Sequence, residues 1–169
     1  MNDNQIICAE LLQSVRATLA ANLPSSQQLR EALEVILEWY GGVVGSIHRL
    51  EPLANVLRLE AEVGIPPGLM EKVAIIPIGK GMAGLAAERR APVQVCNLQT
   101  DESGVAKPSA RETGVEGSLT VPIMLDGELL GTLGIAKPSQ HEFTTQEIDC
   151  LMKVGEEIGG RFRVRGLGE

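Results

Sequence analysis

The stretch Ile76–Asp101, IPIGKGMAGLAAERRAPVQVCNLQTD, is the most informative part of the chain. A short apolar strand enters a glycine-rich turn, an alanine-rich helix follows, and a second strand ends in a polar loop. Gly79 and Gly81 let the backbone reverse sharply. Together with Gly84 they also allow the following helix to sit close against a sheet, which bulkier residues would prevent. These features predict a strand at Ala74–Ile78, a helix at Gly81–Arg89 and a strand at Pro92–Asn97. Leu98–Thr113 is then a long polar excursion without periodicity.

On the N-terminal side, Ile6, Ala9, Leu12, Val15 and Leu19 recur at helical spacing and predict an amphipathic first helix that Pro24 stops. Ser25 and Gln28 have the spacing of a capping box for a second helix, whose apolar stripe is Leu29, Leu33, Ile36, Leu37 and Tyr40 and whose end is Gly41-Gly42. Val43–Leu50 and Val56–Val63 are β-branched and partly alternating, which reads as a hairpin. Pro66, Pro67 and Gly68 lead into a helical turn at Leu69–Lys72.

On the C-terminal side, Leu119–Leu125 and Leu129–Ala136 are apolar strands joined by Asp126-Gly127, the dipeptide of a tight hairpin turn. Thr144 and Glu147 form a second capping-box pattern, opening a last helix that buries Ile148, Leu151, Met152, Ile158 and Phe162. Gly155, Gly159 and Gly160 within that helix each cost about 1 kcal/mol relative to alanine. Their spacing predicts close packing against the first helix or a twin subunit.

Helices at both ends of six strands predict an α+β fold: a six-stranded antiparallel sheet with terminal helices on one face. Loops and short helices around residues 64–114 then close the other face over a concave, ligand-sized space. The corresponding division is an N-terminal packing or dimerisation helix at 1–24, one domain at 25–165 and a short tail at 166–169.

Composition sets the outer limits. At 169 residues one domain buries an adequate core, and 44% hydrophobic with 22% charged residues is the balance of a globular chain rather than a disordered one. No apolar run approaches the roughly 20 residues that span a bilayer. The N-terminus MNDNQIICAELLQ lacks the basic start and apolar run of a secretion signal, so a cytoplasmic location is expected. Cys8, Cys96 and Cys150 are an odd number at wide spacings with no CxxC pair, which predicts free thiols and no structural zinc. A net charge of −7 and 2% aromatic content argue against nucleic acid, which needs cationic phosphate contacts and stacking platforms. The one basic cluster, Arg161, Arg163 and Arg165, suits the negative end of the last helix.

Five segments, IPIGKGMAG (76–84), PVQVCN (92–97), GSLTVPI (117–123), DGELLGTLGI (126–135) and FTTQEIDCL (143–151), resemble the GAF domain family in order and spacing, across residues 27–162. The resemblance implies the PAS-like architecture just described and a regulatory module that binds a small metabolite. It also implies a homodimer that signals through an unidentified downstream protein. Cyclic-nucleotide-binding members carry an Asn-Lys pair, a Phe and an acidic pair. Here Lys137, Phe143 and Glu147 match, but Ala136 and Ile148 replace the Asn and the final Glu. Bilin-binding members surround their chromophore with aromatics, which this chain places on or beside helices. A haem would require His48 or His141, and no cofactor is assigned. The chain is also distantly similar to the free methionine-R-sulfoxide reductases, an enzymatic alternative in which Cys96 would be the reactive thiol. In this chain the loop that holds the family's thiol carries Arg111, Glu112 and Thr113 instead. A ligand-free interaction module is the remaining alternative.

The candidate binding residues are Cys96, Asp101, Ser109, Arg111, Glu116, Ser118 and Thr120. Arg111 offers a planar fork for a small anion, or else pairs with Glu112 or Glu116 at the surface. Ser118 and Thr120 share one face of their strand and Leu119 and Val121 the other, with the assignment of faces open. Cys96 is either a sensor thiol near Arg89, Arg90 or Lys80, or inert packing between strand neighbours. His48 reads as an edge or surface residue. No nucleophile, base and orienting group stand in order, so catalysis is not required.

Overall fold

The computed structural model describes residues 2–166. Arg165's side chain and tail residues 167–169 lie outside what is described. The element order is α1 (Asp3–Ala20), α2 (Ser25–Tyr40), β1 (Val44–Glu51), β2 (Val56–Val63), a 3-10 turn (Pro67–Leu69), α3 (Met70–Ala74) and β3 (Ile75–Pro77). Then come α4 (Gly81–Arg89), β4 (Val93–Val95), a second 3-10 segment (Pro108–Thr113), β5 (Ser118–Leu125), β6 (Glu128–Ala136) and α5 (Thr145–Gly166).

The six strands form one antiparallel sheet in the order β3-β2-β1-β6-β5-β4, so β1 and β6 are its centre. Period-two alternation sorts each strand between two environments. Ile47, Leu119, Val121, Ile123, Leu133 and Ile135 join one core with Leu29, Leu33 and Ile36 of α2, Leu11 and Val15 of α1, and Leu151, Val154 and Ile158 of α5. Each fully buried aliphatic side chain contributes on the order of 1.5–3 kcal/mol. The opposite face of the sheet is covered by α3, α4 and the loop between β4 and β5, with a smaller cluster of Val95, Leu98, Val115 and Ala136.

Turn chemistry fixes the register where it was expected. Asp126 and Gly127 both adopt left-handed conformations, φ 50° and 77°, as a two-residue hairpin requires. Gly79 and Gly81 have φ 87° and 64°, and a Cβ on Gly84 would meet the Pro77 carbonyl oxygen at 2.5 Å. Thr144 and Glu147 complete their capping box, Oγ1 accepting from the Glu147 N–H at 3.1 Å and Oε1 from the Thr144 N–H at 3.0 Å.

Three expectations are corrected. Ser25 and Gln28 form no capping box: Pro24 holds the N-cap position without a side-chain bond, and Gln28 Nε2 turns back to donate to the Ala21 carbonyl. A box forms instead at Asn2 and Gln5, starting α1 earlier than its apolar spacing implied. Gly155 and Gly159 face the sheet rather than α1 or a twin, with Ile123 the neighbour of both. Finally, Cys8 and Cys150 are not free thiols: they form a disulfide from α1 to α5 across a Cα–Cα distance of 5.8 Å, leaving Cys96 as the free cysteine. Cysteine count and spacing could not reveal this, because helix packing brings together residues 142 positions apart.

Candidate functional site

Between the sheet and its cover lies a cavity of about 190 Å³. Its floor is polar by strand alternation. Ser46 and Thr120 both stand opposite Gly134, His48 stands opposite Thr132, and Ser118 opposite Ala136. Gly134 keeps the middle of the floor open: a Cβ there would lie 3.2 Å from Thr120 Oγ1 and 3.4 Å from Ser46 Oγ. The walls are apolar, from Ile65, Leu69 and Val73 on one side to Leu98, Ala110 and Val115 on the other. The first turn of α4 (Gly81, Met82 and Ala83) completes the enclosure.

His48 is 2% exposed, contrary to its reading as an edge or surface residue, because β1 is a central strand. Its Nε2 lies 2.8 Å from the Val73 carbonyl oxygen. A carbonyl only accepts, so Nε2 carries the proton and Nδ1 presents a lone pair. Burial lowers the imidazole pKa below its ordinary value, and the bond to Val73 pulls the other way without reversing it. Nδ1 and Thr132 Oγ1 are both buried without a protein hydrogen-bond partner. Gln28 Oε1 and Arg161 Nε are unpartnered too, but of these four atoms only His48 Nδ1 belongs to a residue lining the cavity. A buried polar atom left this way costs on the order of 1–3 kcal/mol, so it marks a place for a bound polar group.

Of the seven candidate residues, Ser109, Ser118 and Thr120 line the cavity. Ser118 Oγ also donates to the Ile135 carbonyl at 3.4 Å. Asp101 and Arg111 belong to an adjoining outer hollow with Lys80 and Lys107, where Arg111 Nη2 donates to the Asp101 carbonyl at 2.7 Å rather than pairing with Glu112 or Glu116. Glu116 is half-buried and its backbone bridges Leu98 and Lys137. Cys96 is exposed and lies outside both linings. Ser46 and His48 were missed, though the alternation of Val44, Ser46 and His48 with Gly45 and Ile47 was a readable sign of a polar face.

Outside the cavity, His141 pairs with Glu147 at 3.1 Å and Tyr40 donates to the Glu147 carbonyl oxygen at 2.7 Å, tying α2 to the start of α5. Arg163 pairs with Asp126 and Glu128 across the hairpin turn, and Arg161 reaches Ser25 Oγ at 3.3 Å. Among the described residues, no cluster of three or more His, Cys, Asp or Glu could hold a metal ion, and no helix is long and apolar enough to cross a membrane.

The GAF domain model matches residues 22–160 of the chain. The chain belongs to the GAF domain family. No curated protein sequence matches it. Its fold is shared with the free methionine-R-sulfoxide reductase of Neisseria meningitidis solved with its substrate, at 18% identity and TM-score 0.78, covering 100% of this chain and 96% of that one. The GAF domain of a Coxiella burnetii phosphoenolpyruvate-protein phosphotransferase matches at 22% identity and TM-score 0.78, covering 98% and 99%. The A. aeolicus Nlh2 GAF domain in an inactive state matches at 20% identity and TM-score 0.74, covering 96% and 99%. At such identities the likeness is one of fold. These neighbours include both a reductase and GAF domains of other proteins, so the shared fold does not decide between catalysis and ligand binding.

Proposed function

We propose that this GAF domain is a non-catalytic receptor for a small metabolite, and that ligand occupancy is passed to a downstream protein through the terminal helices of a homodimer. The observation that carries the reading is the cavity floor, where His48 Nδ1 is buried without a hydrogen-bond partner. Cavities of about 150 Å³ hold a molecule of benzene's size, so about 190 Å³ suits a compact metabolite.

The cover formed by residues 98–116 is the natural moving part. Leu98 and Val115 are its buried residues, and between them the chain is half-buried or exposed, with Val105, Ala106 and Ala110 resting on the small cluster beneath it. A ligand touching Ser109, Ala110 and Thr113 favours the closed cover by its differential affinity. The same strands carry the helix core on their other face, which gives a mechanical route from cavity to α2 and α5.

The thiol-reductase alternative finds no nucleophile in this cavity, since Cys96 lies outside it and the other two cysteines are joined to each other. Their bridge also removes the free-thiol argument for a cytoplasmic location. A thermal-shift screen of nucleotides, amino acids and organic acids tests the receptor reading. A true ligand at 100 times its dissociation constant stabilises by about 2.7 kcal/mol, and Gly134→Ala, which puts a methyl between the two floor hydroxyls, reduces that shift. A screen without any stabilising compound leaves the interaction-module alternative.

A further inference from the structure

The chain carries a net charge of −7, yet Lys72, Lys80 and Lys107 line the cavity and no aspartate or glutamate does. All three lysines are exposed, so they stand at the rim, and among the described residues none forms an ion pair. Two of them flank the start of α4. Lys80 is its N-cap, no side chain caps the helix, and the next three residues all face the cavity. Lys107 lies over the same turn, its Cγ 3.6 Å from where a Cβ on Gly81 would stand. The first N–H groups of a helix have no intrahelical acceptor and lie at the positive end of its dipole, a setting that favours an anion.

The floor supplies the second half of the recognition. His48 Nδ1 presents only a lone pair, so its missing partner is a hydrogen-bond donor. A ligand ammonium would satisfy Nδ1 but would find no carboxylate in the cavity to balance its charge. A hydroxyl satisfies it without charge.

We propose that the cavity takes a short aliphatic hydroxycarboxylic acid, with its carboxylate at the α4 N-terminus beneath Lys80 and Lys107 and its hydroxyl on the floor at His48. The alkyl body lies along Leu69, Val73 and Val115. This assignment rests on the receptor reading and adds charge and functional group to it.

The test is calorimetric titration of the full chain with linear and branched 2- and 3-hydroxy acids of three to six carbons. Matched primary amides remove the charge, matched deoxy acids remove the hydroxyl, and matched amino acids replace the hydroxyl by an ammonium. At least one hydroxy acid is expected to bind at least tenfold more tightly than its amide, its deoxy form and its amino form. Lys80→Gln with Lys107→Gln is expected to weaken the acid at least tenfold while leaving the amide and the ligand-free melting temperature unchanged, as exposed side chains should. An amide, deoxy acid or amino acid that binds as tightly as the hydroxy acid overturns the assignment and leaves the receptor reading standing. Absence of binding across the panel also overturns it, and the broader thermal-shift screen then decides whether the cavity is a receptor at all.

Discussion

At the scale of single residues, His48 converts its position into a measurable pH dependence. The unfolded imidazole titrates near 6.5, whereas burial holds the folded one lower. Protons therefore favour the unfolded chain below that value. The stability contribution is complete above pH 6.5 and is lost as pH falls toward the folded pKa, at up to about 1.4 kcal/mol per pH unit. Glu147 acts later. Burial opposes its ionisation, but bonds from Thr144 and His141 leave its pKa below the ordinary 4.5, so its contribution fades only in stronger acid. Urea melts should show wild type weakening just below pH 6.5 and His48→Gln flat over the same interval. Two glycines give an opposed pair. Gly84→Ala drives a Cβ to 2.5 Å from the Pro77 carbonyl and should cost about 1–3 kcal/mol. Gly160→Ala adds a methyl to open space within α5 and should stabilise by about 1 kcal/mol. For a chain of this size each kcal/mol moves the melting temperature by roughly 2–4 °C, so a thermal scan separates the signs.

Among the elements, the bridge from α1 to α5 has the largest expected effect. Closing a loop of 142 residues restricts the unfolded chain by an amount worth about 5 kcal/mol at most, with about 2–4 more usual. Cys8→Ser should therefore melt several degrees below wild type in oxidising buffer and match it closely once wild type is reduced. Thiol titration of the unfolded chain should find Cys96 alone before reduction and all three cysteines after it. Local signals made most elements legible: Asp126-Gly127 fixed a hairpin, and the glycines of 79–84 fixed a turn and a close packing, because each acts within a few residues. The disulfide, the burial of His48 and the direction faced by Gly155 and Gly159 were not legible, because each depends on which distant element lies alongside. The cavity was half legible for the same reason. Ser118 and Thr120 declared a shared face, but only the pairing of β5 with β6, and of β6 with β1, brings them to Ser46 and His48.

On the scale of the whole molecule, cavity and helices are opposite faces of the same strands. Thr120 and His48 look toward the cavity while Leu119, Val121 and Ile47 look toward the helix core. Under the proposed receptor function, a floor group that shifts on ligand binding would press on α2 and α5, and the outer surface of that helical layer is where a second copy would sense it. Ile6 and Ile7 of α1 are 42% and 48% exposed, Trp39 at the end of α2 is 39% exposed, and Ile7 and Trp39 border one hollow beside the disulfide. Large apolar side chains grouped this way favour association with a like surface. If this is the dimer face, sedimentation of wild type at micromolar concentration should show a dimer, and Ile7→Glu combined with Trp39→Glu should give a monomer. The melting temperature of that variant should also lose its dependence on protein concentration. A wild type that sediments as a monomer throughout would rule out this face as a dimer contact and leave the proposed ligand binding to be tested by itself.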